Sequence, residues 1–352
     1  MVFIRRTLMD AISLKWKQNT LLDVEHQPWM FRRFLLQTTC QSVNCPPFPP
    51  MLSVLPYLKD MKNTHLQHPE DTILTGDLSI LDWFEAPSTL SVKMDGAPAI
   101  VWGVNPATGK FFVGTKSVFN KVKVKINETH EDIDNNHTGN VATILHACLD
   151  NLYEDEGIFQ GDFIGFGGSS EYTPNTITYD FEQVIHQNII IAPHTEYICP
   201  GDTLRDAVAF PIDFQMSSTD RCAFVQPDAW ETGEDFSEVI GFARQMSQLV
   251  EFEDPKTAAL LKQELNGCIR EGRPVIPSTF MNDKLVSFWL LIKSIKDDML
   301  FTCIDNGPAT YIDGELDLNG EGYVRTNEFG MFKLVKREAF SHANFNSTKS
   351  WA

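Results

Sequence analysis

The sequence predicts an α+β fold in which antiparallel strands and helices occupy largely separate parts of the chain. Between Thr64 and about Tyr179, β-branched and aromatic runs such as LSVKMDG, PAIVWG and KFFVGTK alternate with glycine, asparagine and proline, the pattern of short strands joined by turns. After about Phe236, apolar residues recur at the three- and four-residue spacing of amphipathic helices. Strand-like runs return in ATYIDGELDL, EGYVRT and MFKLVKREAF.

The same shifts in pattern predict the domain organisation. The proline-rich stretch CPPFPP at residues 45–50 is incompatible with a helix or a central strand, so it is the expected linker after an N-terminal extension. The helical spacing after Phe236 is expected to be an insertion in the strand-rich part. We therefore divide the chain into the extension, the first part of the strand-rich domain, a mainly helical insertion, and the last strands with a C-terminal tail: residues 1–60, 61–204, 205–305 and 306–352.

Individual helices are predicted from apolar spacing and from helix-start signals. Apolar side chains at helical spacing over residues 140–152 predict one helix among the strands. In HLQHPED, Pro69 followed by two acids is more typical of the first turn of a helix than of a metal cluster. Asp254-Pro255 is a further helix start, and residues 282–299 are expected to form another helix.

The charge of the chain limits the surfaces that it can offer to nucleic acid. With 29 basic and 47 acidic residues, the formal net charge is −18, which argues against a broad basic surface for long duplexes. Residues 97–126 are the exception, because they contain lysines and no acid. The five lysines of this local basic patch are Lys110, Lys116, Lys121, Lys123 and Lys125. The patch is either a track for phosphates or a solvated hairpin edge.

Cysteine usage and hydropathy predict a soluble, cytoplasmic protein. The seven cysteines are an odd number and form no CxxC pair, so we expect a reduced compartment and no structural zinc. The opening MVFIRRTLMDAISLKWK has its apolar runs interrupted by charges before a signal sequence could form. No stretch is long and apolar enough for a membrane span, so no membrane partner is expected.

Lys93 is the first candidate for chemistry, because it lies in the otherwise apolar stretch SVKMDGAPAIVWG. A lysine is rarely buried without a partner. Read alone, it is best explained as a strand lysine paired with Asp95, but the charged residues that follow in similar strand-like contexts favour a catalytic amine. These residues are Lys116 in GTKS, Asp162 in QGDFIG, Glu321 in EGYV, and Lys333 and Lys336 in FKLVK.

Together these motifs resemble the covalent nucleotidyltransferase superfamily of ATP-dependent DNA and RNA ligases and mRNA capping enzymes. KMDG is similar to the nucleotidylated K-x-D-G motif, GDFIG to the third motif in its RNA-ligase form, EGYV to the fourth and FKLVK to the fifth. HLQHPED, KMDGAPAIVWG, GTKSVFNK and PNTITY also resemble an uncharacterised ligase-like family of tailed phages. A phage-encoded protein would act in the host-cell cytoplasm.

The resemblance implies a nucleotidyltransferase fold of twisted antiparallel sheets forming a nucleotide cleft, and a role for each matching residue. Lys93 would form the lysyl-AMP, with Lys116, Lys333 and Lys336 on the phosphates. The residues expected to bind the nucleotide are Ser91, Val92, Lys93, Asp95, Gly96, Asp162, Tyr179, Glu321 and Lys333. The expected cofactors are ATP and Mg²⁺ or Mn²⁺, and the expected metal ligands are Asp95, Asp162 and Glu321.

The chemistry requires a change in the pKa of Lys93. An amine must be neutral to attack the α-phosphate, and an ordinary lysine, with a pKa near 10.4, is neutral only about one time in a thousand at pH 7.4. We therefore expect burial in an apolar strand, together with Lys333 or Lys336, to lower the pKa of Lys93. Because residues three apart on a strand face opposite sides, we expect Lys333 rather than Lys336 to reach the phosphates.

The chain also departs from the ligase pattern. Ser91 and Val92 stand where ligases carry a glutamate that reads adenine, which leaves GTP open as the nucleotide. Lys116 is expected to replace the arginine that follows K-x-D-G in DNA ligases. Sixteen residues follow Lys336, too few for a trailing OB domain, which favours an RNA ligase that joins 5′-phosphate to 3′-hydroxyl ends. The alternatives are nucleotidyl transfer to another acceptor, including a protein, and non-catalytic nucleotide binding.

Overall fold

The protein has the α+β class that the sequence predicts, with antiparallel sheets and helices. The structure is a computed structural model that describes residues 66–153, 157–318 and 320–338. The predicted N-terminal extension, residues 1–60, and residues 339–352 of the predicted tail lie outside the described residues. The described residues belong to one compact unit, Val54–Ala352.

Four of the seven described helices begin within a residue of where the sequence predicts. In chain order the seven are α1 (Pro69–Thr72), α2 (Ser79–Glu85), α3 (His130–Asn136), α4 (Gly139–Asn151), α5 (Ser237–Ser247), α6 (Pro255–Arg270) and α7 (Asp283–Phe301). The four with predicted starts are α1, α4, α6 and α7. The helix expected over 140–152 is α4, and the helix expected over 282–299 is α7. The carboxylate of Asp254 caps α6 by accepting hydrogen bonds from two backbone N–H groups, with Pro255 as the first helical residue.

The strands are short, and most pairs are antiparallel. They are β1 (Thr89–Val92), β2 (Ala99–Val104), β3 (Phe111–Gly114), β4 (Ile158–Phe166), β5 (Glu171–Tyr172), β6 (Thr178–Asp180), β7 (Ile189–Ile198), β8 (Val208–Pro211), β9 (Cys222–Phe224), β10 (Ala229–Glu231), β11 (Cys303–Asp305), β12 (Ala309–Ile312), β13 (Glu315–Asp317), β14 (Tyr323–Asn327) and β15 (Gly330–Leu334). A tight turn at Asp313 and Gly314, with φ of 52° and 80°, joins β12 to β13.

Two sheets carry most of the residues singled out in the sequence. A three-stranded sheet has the order β1-β14-β15, and a six-stranded sheet has the order β3-β2-β4-β7-β8, with β9 beside β7 in parallel. A four-stranded sheet, β13-β12-β6-β5, and the pair β10-β11 complete the described strands. The chain passes from the first sheet to the second between β1 and β2, at the KMDG stretch.

Helices α2, α5, α6 and α7 share one apolar core with the three-stranded sheet. Trp83 of α2 and Trp289 of α7 are fully buried there, as are Tyr323 and Leu334, which lie opposite each other on β14 and β15. Burying each such side chain contributes about 1.5 to 3 kcal/mol. This face of the sheet is therefore covered by helices, and the face that carries Val324 and Lys333 points the other way.

The six-stranded sheet has a second core, formed mainly with α4. Ile144, Leu145 and Cys148 lie at helical spacing on α4 and pack against Trp102 and Phe159 of the sheet. The five cysteines among the described residues are free. No helix in the described ranges has the length and apolar character needed to cross a membrane.

The first α-helix in the predicted insertion at 205–305 begins at Ser237. Residues 208–231 instead contain β8, β9 and β10, whose three- and four-residue apolar runs are too short to stand out in the sequence. The helices that follow pack on the three-stranded sheet, so they form part of its core.

Candidate functional site

The register of the three-stranded sheet brings distant residues together. Ser91 of β1 lies opposite Val324 of β14, and Val324 lies opposite Lys333 of β15. The backbone N–H of Lys93 donates to the carbonyl of Gly322 at 2.8 Å. Because residues directly opposite each other share a face, Lys333 lies on the same side of the sheet as Ser91 and, two residues further, Lys93.

Lys93 and Glu321 form a close ion pair at the end of this sheet. Nζ of Lys93 lies 2.5 Å from Oε1 of Glu321, with the two side chains 23% and 16% exposed. Burial lowers the pKa of Lys93, but the charge and hydrogen bond of Glu321, with the charges of Asp162 and Asp95, outweigh it and raise the pKa. The expectation that Lys93 has a lowered pKa is therefore wrong for this arrangement.

The pKa of Glu321 is raised as well, although its partner is a cation. Burial is the main cause; Lys93 opposes it, and the charges of Asp95 and Asp162 add to it. A single attractive pair would move the two pKa values in opposite directions. Burial therefore accounts for most of the rise in the pKa of Glu321. The carboxylates of Asp95, Asp162 and Glu321 around one ammonium group also give the cluster excess negative charge, which favours an additional cation.

Lys333 and Lys116 lie close enough to this cluster to interact with it electrostatically. Burial lowers the pKa of Lys333, and the positive charges of Lys93 and Lys116 lower it further, while Glu321 opposes them. Lys116 is exposed at the start of a 3-10 turn, Lys116–Phe119. Lys333 is therefore a half-buried cation that faces the same site as Lys93.

Lys336 lies apart from these residues. Strand β15 ends at Leu334, so Lys336 is not part of the strand, and its side chain is exposed. The argument from opposite strand faces thus does not apply, because the second lysine of FKLVK follows the strand. Lys333 is the lysine of this motif that lies beside Lys93.

Asp95 holds a loop in place through both of its carboxylate oxygens. Its Oδ1 accepts a hydrogen bond from Nδ2 of Asn175 at 2.8 Å, and its Oδ2 accepts from the backbone N–H groups of Thr176 at 2.8 Å and Ile177 at 3.2 Å. The carboxylate is buried. These bonds fix the loop before β6, so the structure gives Asp95 a positioning role beside Lys93.

Tyr179 is part of the core beneath the same loop. Its ring is 2% exposed, and its hydroxyl oxygen accepts a hydrogen bond from the backbone N–H of Asp95 at 2.5 Å. Burial raises the pKa of this phenol well above its ordinary value. The predicted stacking of a nucleotide base on Tyr179 would need the ring to become accessible, and in this structure the ring supports the KMDG loop.

Gly96 of the KMDG loop lies close to Asp162 of β4. A Cβ atom at Gly96 would lie 2.6 Å from Cβ of Asp162, a distance that excludes any larger residue without a shift of the backbone. Oδ2 of Asp162 lies 3.7 Å from Nε2 of His194 on β7. His194 is a site residue that the sequence reading missed; its only signal is a polar HTE run within an otherwise apolar strand.

Ser91 and Val92 do not offer the contacts of a base-reading glutamate. Ser91 is exposed and forms an isolated bridge with Asp228. Val92 is half-buried and packs against two apolar clusters. No acidic side chain therefore occupies these positions next to Lys93.

The predicted metal ligands fit a divalent cation only in part. Within residues 66–153, 157–318 and 320–338, no group of three or more His, Cys, Asp or Glu side chains is arranged to hold a metal ion. Asp95 uses its oxygens for the loop before β6. Asp162 and Glu321 both act on the charge of Lys93, and two carboxylates with substrate phosphates and water suffice for Mg²⁺.

The basic patch at Lys110–Lys125 is partly tied to other residues. Nζ of Lys110 lies 3.7 Å from Oε2 of Glu128, and Nζ of Lys125 donates to the carbonyl of Asn136 at 2.5 Å. The remaining lysines of the patch are exposed: Lys116, Lys121 and Lys123. The patch thus combines structural lysines with exposed ones that begin at Lys116, next to the site.

A buried charge network lies behind β15. Arg337 donates to Oε1 of Glu70 at 2.9 Å and to both carboxylate oxygens of Asp71 at 2.9 and 3.1 Å. Lys296 lies 3.3 Å from the same Glu70 oxygen and is fully buried. Burial raises the pKa of Glu70, but the neighbouring cations outweigh it and lower the pKa to about 2. The network fixes the chain directly after Lys333.

Two cavities differ in size and in charge. A pocket of about 30 Å³ lies beside Lys93, Tyr179 and Glu321, room for about one water molecule. A groove of about 780 Å³ lies between α2, β10 and α5. Its acidic lining residues are Glu85, Glu231, Glu234 and Asp235, and Arg325 is the only basic lining residue described. Arg325 is already paired with Glu231 at 2.6 Å. The negative charge of the large groove is thus unfavourable for phosphates. The pocket beside Lys93 is the better candidate for a site that binds a phosphate-bearing ligand.

The fold and the site define an α+β protein in which a lysine, a partly satisfied carboxylate cluster and a second lysine meet at a sheet end. A family model described as a family of unknown function, DUF6267, matches residues 63–289 and 277–349. Because these matches cover more than half of the chain, the protein belongs to this family. No curated protein and no solved structure gives a significant match.

Proposed function

We propose that the protein is an ATP-dependent polynucleotide ligase that acts on RNA in preference to DNA, with Lys93 as its nucleophile. The carrying observation is the convergence at one sheet end of four stretches that are distant in sequence. KMDG, GDFIG, EGYV and FKLVK contribute Lys93, Asp162, Glu321 and Lys333 to one cluster of interacting charges. The passage of the chain between two antiparallel sheets at KMDG supports a nucleotidyltransferase fold.

In the proposed first step, Nζ of Lys93 attacks the α-phosphorus of ATP. Because Nζ is protonated in the free protein, it first releases one proton to water. The neutral amine then forms a phosphorus–nitrogen bond, the bond to pyrophosphate breaks, and the nitrogen releases a second proton to water. Lys333 and the exposed Lys116 would stabilise negative charge that develops on the phosphates. AMP then passes to a 5′-phosphate end, and a 3′-hydroxyl displaces it.

Asp162 and Glu321 are the residues that would hold Mg²⁺ or Mn²⁺. A bound ion would neutralise phosphate charge, and hard cations of this kind prefer carboxylate oxygens. When Glu321 turns away from Lys93, the amine loses its closest negative neighbour, and its pKa falls. The ion pair seen in the free protein is therefore compatible with a nucleophile that is activated when the nucleotide binds.

The pocket beside Lys93 must widen to admit a nucleotide, because about 30 Å³ accommodates only water. Its lining includes Gly307 and Pro308, in the segment between β11 and β12, and Thr310 of β12. Movement of this segment away from Lys93 would open the site without disturbing the pairing of β1 with β14.

Non-covalent nucleotide binding is the second candidate function. It is favoured by the raised pKa of Lys93, because a protonated amine does not attack phosphorus. Transfer from GTP, or to an acceptor other than a polynucleotide, would use the same lysyl-nucleotide step as the ligase.

A single labelling experiment separates these functions. We expect incubation with α-³²P-ATP and Mg²⁺ or Mn²⁺ to leave label on the chain in a denaturing gel, with the mass increased by one AMP. Lys93→Met should abolish the label, and the matched variant Lys284→Met, at an exposed lysine on α7, should keep it. Label that survives Lys93→Met would contradict the proposal, and binding of ATP without covalent label would support the second candidate.

The acceptor is tested with the same protein. A 5′-phosphorylated single-stranded RNA and the corresponding DNA are incubated with ATP, and the joined product is measured on a sequencing gel. We expect the RNA product to form faster. Lysyl-AMP formation without joining of either strand would indicate another acceptor.

A further inference from the structure

Two histidines on α3 and α4 are each held by a carboxylate of the other helix. Nε2 of His130 lies 3.1 Å from Oδ1 of Asp150, and Nε2 of His146 lies 3.0 Å from Oδ1 of Asp134. Each helix contributes a histidine followed four residues later by an aspartate. The two rings face each other edge to edge, with their centroids 5.0 Å apart and their planes 20° apart. Each imidazole is therefore oriented by an aspartate of the opposite helix.

The carboxylates determine which ring nitrogens carry a proton. An ionised carboxylate only accepts hydrogen bonds, so each Nε2 must be the N–H donor, and in a neutral ring Nδ1 then carries a lone pair. The two Nδ1 atoms, from His130 and His146, lie 2.7 Å apart. Two lone pairs at this distance repel each other, so the arrangement requires a positive species between the two nitrogens.

We propose that His130 and His146 bind a divalent transition-metal ion of the Zn²⁺ class through their Nδ1 atoms. Imidazole is a preferred ligand of such ions. A carboxylate on the other ring nitrogen is the usual way in which a metal-binding histidine is fixed and made more basic. The negative charges of Asp134 and Asp150 also offset the charge of the ion. This inference does not depend on the proposed ligase activity.

The geometry allows the ion to enter with a small movement. With bonds of about 2.0 to 2.1 Å and tetrahedral angles, the two nitrogens would lie about 3.3 Å apart, compared with 2.7 Å in the structure. The side chains of His130 and His146 are 52% and 30% exposed, so they can separate without disturbing the core. The exposed side leaves space for two further ligands, which water would supply.

A site with two protein ligands differs from the metal centre considered for the nucleotide. With only two protein ligands, it is smaller than a group of three or more metal-ligating side chains, and no such group occurs among the described residues. Its imidazole ligands select Zn²⁺, Ni²⁺ or Cu²⁺ rather than Mg²⁺, which prefers oxygen. A bound ion would link α3 to α4.

Isothermal titration of the full chain with Zn²⁺ at pH 7.5 tests the proposal. We expect one ion per chain at this site, with at least a tenfold loss of affinity in His146→Ala. Asp150→Asn, which keeps both ligands but removes the carboxylate, should lose affinity by about 10- to 100-fold. The matched control is His186→Ala, because His186 is exposed and remote from the pair in sequence, and this variant should bind like the parent protein.

Three results would overturn the proposal. If the parent protein takes up no Zn²⁺, the species between the two rings is a proton. If His146→Ala binds Zn²⁺ as tightly as the parent, the ion lies elsewhere. If Mg²⁺ at the same concentration competes equally, binding belongs to carboxylates. The circular-dichroism spectrum of each variant establishes that the helices remain.

Discussion

Nζ of Lys93 and Oε1 of Glu321 lie 2.5 Å apart, although the two residues come from opposite ends of the described chain. The contact exists because β1 and β14 pair in a register that places Lys93 opposite Gly322. Two further carboxylates, Asp95 and Asp162, act on the same amine. These carboxylates stabilise the protonated form of Lys93, so removal of one of them is expected to lower its pKa.

Replacing Glu321 should make Lys93 easier to deprotonate. In Glu321→Gln, the strongest influence that raises the pKa of Lys93 is removed, so the pKa is expected to fall. The measurement is the pH dependence of the reaction of Lys93 with an amine-selective reagent, followed by peptide mass spectrometry. Glu328→Gln, at an exposed residue of the turn after β14, is the control. An unchanged pH profile of Lys93 would refute the charge-cluster interpretation.

The two lysines of FKLVK should differ in their effect on nucleotide transfer. Lys333 lies beside Lys93, whereas Lys336 follows the end of β15 and is exposed. Removing a cation that stabilises phosphate charge costs about 10²-fold or more in rate. We expect Lys333→Met to slow lysyl-AMP formation by this factor and Lys336→Met to have little effect, as measured by single-turnover labelling. The reverse ranking would exclude the assignment of Lys333.

Arg337 is expected to be essential for stability. Its guanidinium group is the partner of both Glu70 and Asp71, which are buried. Removing one partner of a buried ion pair costs about 3 to 5 kcal/mol. Arg337→Met should therefore lower the urea midpoint substantially, whereas Arg273→Met, which breaks an exposed pair with Glu271, should not. Coincident unfolding curves for Arg337→Met and the parent would contradict this role.

We expect the folded protein to lose stability in mild acid, because the pKa of His68 is lowered. Burial lowers its pKa from 6.5 to about 3, although Glu70 opposes the shift, and its buried Nδ1 has no hydrogen-bond partner. Between these values the unfolded chain binds a proton that the folded chain does not. The free energy of unfolding should therefore fall as the pH decreases from 6.5, by up to about 1.4 kcal/mol per pH unit for one proton.

The contribution of His68 is isolated by comparing variants. Urea unfolding is measured between pH 5.5 and 6.5, about one pH unit or more above the unfolded pKa of Glu70, 4.5. We expect His68→Leu to flatten the pH dependence, and His186→Leu, at an exposed histidine, to leave it unchanged. Parallel pH profiles for His68→Leu and the parent protein would show that His68 is protonated in the folded state.

Elements with local signals were predicted from the sequence, because their cause lies within a few residues. The α+β class follows from the change of spacing after Phe236, and helix α6 follows from the cap at Asp254 and Pro255. Strand pairing has no such local signal. That β1 pairs with β14, and so brings Lys93 to Glu321, could be expected only through the resemblance to ligases.

The pKa values of the site residues could not be predicted, because they depend on how many charged side chains lie together in the folded protein. A lysine in an apolar strand indicates a lowered pKa, and only the positions of three carboxylates reverse it for Lys93. The loop bonds of Asp95 likewise depend on where residues 175–177 fold back. The pairing of His130 with His146 has a sequence signal in the repeat of a histidine followed four residues later by an aspartate.

The three-stranded sheet also determines when the candidate site can exist during translation. The ribosome synthesises β1 and Lys93 long before β14 and β15, so β1 has no partner strand from this sheet until most of the chain has been made. Pairing over such a separation is a slow, late step in folding. An incomplete nascent chain would therefore carry Lys93 without Glu321 or Lys333, and the proposed nucleotide site would form only with the finished sheet.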